Sequence, residues 1–199
     1  MKSLLTKQDL ISFEEEIAAH FNNAEIKAPI HLYNGNENNM ISIFKDINED
    51  DWVMCSWRSH YQCLLKGVPR DQLKKDIIEG RSISLCYSKY RVVSSGIVAG
   101  ILPIAVGIAL GIKRAKGKNK VYCFMGDMTS ESGMAYECIK YSVNKNLPIH
   151  FVVEDNEMSV CTPTEEAWGP SDFSPDDYIT YYRYKNKYPH AGSGKRIEF

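Results

Sequence analysis

The feature that most constrains the fold is a pair of short apolar runs with one amphipathic segment between them. The runs are NKVYCFMG (119–126) and PIHFVVED (148–155), each bounded by residues that interrupt regular structure. Such runs are typical of interior parallel strands. Between them, residues that recur at helical spacing predict one face of a helix, formed by Met134, Ala135, Cys138, Ile139, Tyr141 and Ser142. Pro148 ends that helix. The segment therefore predicts a strand–helix–strand unit with a right-handed crossover.

Two oxygen-bearing side chains follow these strands. Asp127 comes directly after the first run, and Asn156 follows the second run 29 positions later. Because parallel strands end at the same edge of a sheet, we expect the two residues to lie side by side there. Carboxylate and amide oxygens suit Mg²⁺, which completes its octahedron with phosphate oxygens and water. Gly126 and a helix from about Ser130 would offer N–H groups to the same phosphates.

A purely structural interpretation is also open at this point. Many α/β domains end a strand in Asp and cap the next helix with Ser, and each residue alone favours that interpretation. The pairing of Asp127 with Asn156 at the spacing of one crossover favours a site for magnesium and phosphate.

The remaining segments predict further elements around this unit. They are a helix over 7–22 capped by Thr6, an exposed turn at 34–39 in a loop-rich stretch, a strand or turn leading into a helix over 51–69, an amphipathic helix over 70–80 and a buried helix over 96–115. The last contains Pro103 and is too short to span a membrane. We expect one domain over 1–199, with an N-terminal helical extension over about 1–50. Its class is α/β, with three α/β/α layers around a mainly parallel sheet.

Composition excludes several function classes. The net charge of −1 over 199 residues gives no general attraction to nucleic acid or to acidic membranes. The six cysteines form no CxxC pair, which argues against a zinc site and for reduced thiols in a cytoplasmic protein. The N-terminus contains no uninterrupted apolar core and is not expected to be a signal peptide.

Three separated motifs carry a resemblance to a known family. GDMTSESG…VVEDNEMSV resembles the thiamine diphosphate signature, in which Gly-Asp-Gly is followed one crossover later by Asn-Asn. SSGIVAGILPIAVGIALGIK resembles a segment whose main chain contacts the aminopyrimidine ring, and SWRSHYQCLLKG resembles an Arg-x-His segment. Together they resemble the alpha subunit of the first, decarboxylating component of 2-oxo acid dehydrogenases of the pyruvate, branched-chain and acetoin types. The fold implied is the thiamine diphosphate-binding fold.

The resemblance implies a role for each matching residue. Mg²⁺ would be held by Asp127, Asn156 and the main-chain carbonyl of Met158. The diphosphate would be bound by Arg58 and by the backbone of Gly126, Met128 and Thr129. Backbone groups of Gly96 and Val98 would contact the pyrimidine, and His60 would face the reacting substrate as a catalytic residue.

Some positions depart from the family pattern. Met128 stands where the second Gly of Gly-Asp-Gly is expected, so the turn there must avoid a positive φ. Asp155 replaces the first Asn of Asn-Asn and adds negative charge beside the metal set. In the family a C-terminal loop carries a further catalytic histidine. Here Lys185 and Lys187 occupy the histidine positions, and His190 is the candidate for a displaced catalytic histidine.

The resemblance also implies partners. A glutamate beside the aminopyrimidine lies on a second domain in this family, so we expect a separate beta-type, pyrimidine-binding subunit in an α₂β₂ heterotetramer. The substrate would be a 2-oxo acid, and the acceptor a lipoyl acyltransferase or another group. Two alternatives stay open: the cofactor half of a split transketolase-like transferase that acts on sugars, and a non-catalytic scaffold that kept the fold.

Overall fold

The predicted strand–helix–strand unit lies at the centre of the structure, a computed structural model that describes residues 5–170, 176–192 and 197–199. The helices are α1 (Lys7–Asn22), α2 (Glu37–Phe44), α3 (His60–Leu65), α4 (Arg70–Ile78), α5 (Ile101–Arg114), α6 (Asp127–Ser130), α7 (Gly133–Asn144) and α8 (Thr164–Trp168). The strands are β1 (Trp52–Cys55), β2 (Cys86–Tyr87), β3 (Val92–Ser94), β4 (Val121–Gly126), β5 (Ile149–Asp155), β6 (Met158–Ser159), β7 (Thr162–Pro163) and β8 (Ile179–Arg183).

Six of these strands form one sheet in the order β2-β3-β1-β4-β5-β8. The described strands of this sheet run parallel, except that β2 is antiparallel to β3. β4 and β5 are neighbours, with Gly126 opposite Glu154. Strands β6 and β7 form a separate small hairpin. The chain segments that follow β1, β4, β5 and β8 therefore meet at one edge of the sheet.

The sheet divides the core into two layers. Along β4, Val121, Cys123 and Met125 pack with α5 and α7 on one face, while Tyr122 and Phe124 pack with α1 to α4 on the other. This alternation is what a strand buried on both faces requires. The predicted three-layer α/β/α class with a mainly parallel sheet is confirmed.

The N-terminal region is more integrated than its sequence indicated. α1 begins with the predicted Thr6 cap, in a capping box with Asp9. The exposed turn expected over 34–39 is wrong, because Asn36 and Glu37 are buried at the start of α2. Tyr61 donates to Glu37 Oε1 at 3.1 Å, and the Asn36 amide donates to Tyr182 Oη at 3.1 Å. Contacts with distant residues therefore fix this helix start.

α5 is buried on one side only. Ile101, Leu102, Ala105 and Ala109 face the sheet, whereas Ile104 is 51% exposed. The prediction of a buried helix is thus wrong for the outer face. α7 is also buried on one side only, where it carries Ala135, Cys138 and Ser142. Its outer face exposes other apolar side chains, namely Met134, Tyr136, Tyr141 and Val143. Within the described residues, every helix is too short or too polar to cross a membrane.

Candidate active site

A cleft of about 490 Å³ opens at the edge of the sheet where the parallel strands end. It is lined by residues 56–58 after β1, 126–129 at the end of β4, Asn156 and 158–161 after β5, and 186–190 after β8, together with Ile197. This is where ligands bind in doubly wound sheets. Eight of the predicted site residues line it: Arg58, Gly126, Asp127, Met128, Thr129, Asn156, Met158 and His190.

Asp127 is a buried carboxylate at the end of β4. Its side chain is largely shielded, and the Thr164 hydroxyl donates a hydrogen bond to Oδ2. Burial raises the pKa of Asp127 to about 6; the Thr164 bond opposes the rise, and the negative charge of Asp155 adds to it. The second oxygen, Oδ1, points towards Asn156. A carboxylate held in this way gains from a cation in the cleft.

Three oxygens converge beside Asp127. One amide position of Asn156 lies 3.3 Å from Asp127 Oδ1 and 2.8 Å from the Met158 carbonyl oxygen. If the amide oxygen occupies that position, it faces two other hydrogen-bond acceptors, and a bound cation would hold the three oxygens together. If the amide nitrogen occupies it, the nitrogen donates a hydrogen bond to both oxygens. The donor set consists of carboxylate, amide and main-chain oxygens, the hard ligands that Mg²⁺ prefers. These residues therefore fit the predicted magnesium site.

The turn that presents the Met158 carbonyl has an unusual backbone. Glu157 and Val160 adopt left-handed conformations, with φ of 64° and 57°. Such conformations are costly for residues other than glycine, and for Val160, which is β-branched, in particular. Non-glycine residues are held in such conformations most often at functional sites. The turn that flanks Met158 is such a strained segment.

Asp155 does not add an unpaired charge to the metal set. Its Oδ2 accepts from Arg183 Nε at 2.8 Å and from the Tyr181 hydroxyl, and its Oδ1 accepts from Glu157 N at 2.8 Å. Burial alone would raise its pKa, but these bonds hold the pKa of Asp155 below its ordinary value. The replacement of Asn by Asp at this position is thus balanced by Arg183.

Met128 meets the requirement that its substitution for glycine imposes. Met128 lies within α6 and has a helical backbone conformation. It is not among the residues with a positive φ. Gly126 precedes the helix in an extended conformation. The backbone of Gly126, Met128 and Thr129 therefore lines the cleft without strain at the methionine.

Arg58 lines the same cleft as Asp127, Asn156 and Met158. Its Nε donates to the Leu32 carbonyl at 3.1 Å, and its guanidinium lies over the Tyr33 ring, 5.7 Å from the centroid. The Tyr33 hydroxyl lies 2.9 Å from the Arg58 carbonyl oxygen. Arg58 is thus held from both sides, and its guanidinium is available to an anion such as a diphosphate.

His60 lies elsewhere. It is fully buried at the start of α3, where Nδ1 is 3.0 Å from Glu14 Oε2 and Nε2 is 2.9 Å from Ser82 Oγ. The described residues that line the cleft do not include it. The expectation that His60 faces the reacting substrate is therefore contradicted by its position. Its place at the first turn of α3 directs the ring towards α1 rather than towards the cleft.

Gly96 and Val98 are also outside the cleft. They follow β3, at the same edge of the sheet, and both are exposed. Val98 is 53% exposed and its neighbour Ile97 is 73% exposed. The described lining of the cleft does not include them, so a contact with the pyrimidine ring stays a prediction.

Aromatic residues complete the cleft, and sequence reasoning missed Trp57 and Tyr188 in its lining and His31 next to it. His190 lines the cleft as predicted, and its ring stacks on His31 with 4.3 Å between centroids. Trp57 packs against both rings. Burial, followed by the charge of Arg58, lowers the pKa of His190. Burial also lowers the pKa of His31 to about 3, and no hydrogen-bond partner reaches its Nδ1 within the described residues.

The two lysines at the family's histidine positions differ in place. Lys185 is exposed, whereas Lys187 lines the cleft and lies 3.8 Å from Glu15 Oε1. His31 lies in a stretch whose sequence indicated only a loop. Trp57 is adjacent to Arg58 in the motif SWRSHYQCLLKG, and that adjacency is the signal that could have identified it.

Comparison with known proteins identifies the family of the chain. The dehydrogenase E1 component family matches residues 6–175. The alpha subunit of acetoin:2,6-dichlorophenolindophenol oxidoreductase from Bacillus subtilis is 28% identical over 170 residues, which are 80% of this chain and 51% of that protein. Its counterpart from Cupriavidus necator is 31% identical over 161 residues, 75% and 48% of the two chains. The pyruvate dehydrogenase E1 component subunit alpha of Porphyra purpurea is 27% identical over 179 residues, 80% and 52% of the two chains. The chain spans about half the length of these relatives.

Proposed function

Since the chain belongs to the dehydrogenase E1 component family, we propose that it is the alpha-type subunit of a heteromeric, thiamine diphosphate-dependent enzyme. The match confirms the family that the three motifs predicted. The enzyme would decarboxylate a 2-oxo acid and pass on the acyl or aldehyde unit. The observation that carries this proposal is the position of the Asn156 amide, 3.3 Å from Asp127 Oδ1 and 2.8 Å from the Met158 carbonyl oxygen, in one cleft that also contains Arg58.

Different residues of the cleft would hold the metal ion and the diphosphate of the cofactor. Asp127, Asn156 and the Met158 carbonyl would hold Mg²⁺, and Arg58 with the backbone of residues 126–129 would bind the diphosphate. When bound, thiamine diphosphate supplies the nucleophilic carbon and the electron sink for decarboxylation. The protein contributes orientation and charge balance. The buried Asp127 is more readily ionised once a cation offsets its desolvation.

One histidine in the cleft wall is suited to proton transfer, and a second packs against it. His190 lines the cleft, and His31 is stacked on it. Because burial lowers the pKa of His190, its imidazole is neutral near pH 7 and can accept a proton, whereas the pKa of His31, lowered to about 3, keeps that ring neutral as a packing partner. We propose His190 as the catalytic histidine that replaces the family's loop histidine. Its position in the cleft supports this role over one for His60.

The outer face of α5 and α7 supports a protein partner. Ile97, Val98 and Ile104 are exposed there beside exposed apolar side chains of α7. Large exposed apolar patches mark interaction sites. The relatives named above are alpha subunits, and we propose a beta-type, pyrimidine-binding subunit as the partner, in an α₂β₂ arrangement. The free thiols of all six cysteines suit a reducing compartment such as the cytoplasm.

The substrate follows from the family. The relatives are named for pyruvate and acetoin, which supports a small 2-oxo acid or related compound rather than a sugar. The acceptor, a lipoyl acyltransferase or another group, would be the next component in the reaction. A split transketolase-like transferase has no specific support in the cleft. The ordered oxygen set argues against a scaffold that has lost its chemistry.

Cofactor binding tests the proposal directly. Calorimetric titration of the full chain, together with its partner, should show thiamine diphosphate binding that depends on Mg²⁺. Asp127→Ala and Asn156→Ala should each weaken binding at least tenfold, which corresponds to about 1.4 kcal/mol. Ser159→Ala, in the same cleft, is the matched control and should bind like the wild type. Equal affinity with and without Mg²⁺ in the wild type, together with unchanged affinity in both ligand variants, would contradict the site.

A further inference from the structure

A buried chain of polar groups runs from the helical N-terminal region to the arginine of the cleft. Ser82 Oγ, His60 and Glu14 follow one another at 2.9 and 3.0 Å, and each of these residues is at most 1% exposed. The other oxygen of Glu14, Oε1, accepts from the backbone N–H of Tyr33 at 3.1 Å. The arrangement resembles a Ser-His-acid triad, but no substrate can reach it, because all three side chains are buried. Its role must be one of position.

This series of polar groups ends at the peptide unit to which Arg58 is hydrogen-bonded. The N–H of Tyr33 and the C=O of Leu32 belong to the same planar peptide unit and point in opposite directions. Glu14 binds the N–H side, and Arg58 Nε donates to the C=O side at 3.1 Å. Asn186, which also lines the cleft, donates to the same carbonyl at 3.0 Å. The orientation of this one peptide therefore sets where the guanidinium of Arg58 lies.

We propose that Glu14 and His60 are positioning residues for Arg58, which act through the Leu32–Tyr33 peptide. This inference rests on the proposed function, because it assigns the diphosphate to Arg58. His60 fixes the Glu14 carboxylate, which fixes the tilt of the peptide, and the peptide fixes the Nε of Arg58. Hydrogen bonds in such a series also polarise one another in a buried environment. His60, the histidine of the Arg-x-His motif, thus acts on the cleft indirectly through the position of Arg58 and does not line the cleft itself.

The direction of the hydrogen bonds makes the inference testable. An ionised carboxylate can only accept hydrogen bonds. Glu14 therefore accepts from the N–H of Tyr33 and from Nδ1–H of His60, and the Ser82 hydroxyl then donates to His60 Nε2. In Glu14→Gln, the amide oxygen can still accept from Tyr33, while the amide nitrogen donates to the other tautomer of His60. The geometry survives without the charge. In Glu14→Ala the peptide loses its partner, and a buried N–H is left unpaired.

The first experiment measures binding to the full chain by calorimetry, with Mg²⁺ and either thiamine diphosphate or inorganic diphosphate as the probe. Glu14→Ala should raise the dissociation constant of both probes at least tenfold, and Glu14→Gln should stay within threefold of the wild type. Glu16→Ala is the matched control. Glu16 lies on the same helix and pairs with Arg70 and Lys74, away from the Leu32–Tyr33 peptide. It should lower the melting temperature and leave both dissociation constants unchanged.

A second pair of variants covers the case in which Glu14→Ala does not fold. In His60→Asn the amide replaces the Nδ1 side of the ring and keeps the bond to Glu14. In His60→Gln it replaces the Nε2 side and keeps only the bond to Ser82. The Gln variant should raise the dissociation constant of inorganic diphosphate at least fivefold more than the Asn variant. At saturating cofactor, turnover of the holoenzyme should recover in both.

The outcomes separate the possible roles. Equal dissociation constants for the two His60 variants, or a lower melting temperature in Glu14→Ala with wild-type affinity, would overturn the inference. Loss of turnover at saturating cofactor with unchanged affinity would also overturn it, since His60 would then act on the substrate. A complex of the wild-type chain with its beta-type partner that binds inorganic diphosphate but not thiamine diphosphate would refute the proposed function, while the Glu14 variants would still test the placement of Arg58.

Discussion

Replacement of His31 by phenylalanine should change how stability depends on pH. His31 is 7% exposed, and burial, with the nearby His190 and Arg58, lowers its pKa from 6.5 to about 3. The unfolded chain therefore binds a proton in the window between these values and the folded protein does not. Stability contributed by the neutral ring is complete above pH 6.5 and is lost as the pH falls towards 3. Phenylalanine keeps the stacking on His190 but cannot titrate.

The magnitude follows from the two pKa values. For one group with these values, linkage gives a loss of about 2 kcal/mol in the free energy of unfolding between pH 7 and pH 5. We expect the wild type to lose about that much more than His31→Phe over this interval. Urea unfolding of both proteins at pH 5, 6 and 7, followed by circular dichroism, measures the difference. Parallel pH profiles of the two proteins would refute the conclusion that His31 is buried as a neutral ring.

Three other perturbations test separate parts of the structure. Burial raises the pKa of Glu154 from 4.5 to about 7, so the free energy of unfolding should fall by about 3 kcal/mol as the pH rises between these values. Glu154→Gln should abolish this fall, as measured by urea unfolding. Ile104→Glu, on the exposed face of α5, should leave the melting temperature unchanged but prevent assembly with the partner; normal assembly in light scattering would exclude this face. His190→Asn should lower turnover roughly 10²- to 10⁴-fold with cofactor affinity preserved, and unchanged turnover at saturating cofactor would remove His190 from the mechanism.

The central unit of the fold could be predicted because its signals are local. The runs that form β4 and β5, the breakers around them and the amphipathic α7 are complete within 119–155. The direction of the crossover then places Asp127 and Asn156 together, so that part of the site followed from topology alone. Met128 was also correctly limited to a turn without positive φ.

The parts that sequence reasoning missed depend on distant contacts. α2 begins with buried polar residues whose partners include Tyr61, Glu154 and Tyr182, from elsewhere in the chain. His60 was expected in the cleft because the motif alone does not reveal Glu14, which lies 46 positions earlier and draws the ring inwards. His31 becomes part of the site only because residues 186–190 fold back against it.

The left-handed residues on either side of Met158 would make a cation at the proposed site part of the local folding equilibrium. Each such conformation costs roughly 1–2 kcal/mol, and both Glu157 and Val160 adopt it in the turn that carries the Met158 carbonyl beside the Asn156 amide. A ligand that binds only this arrangement offsets that cost by mass action. Amide hydrogens of this turn should therefore exchange much more slowly when Mg²⁺ is present, whereas those of β4 should not respond. Metal depletion would then open the mouth of the cleft by a local transition that leaves the rest of the protein folded.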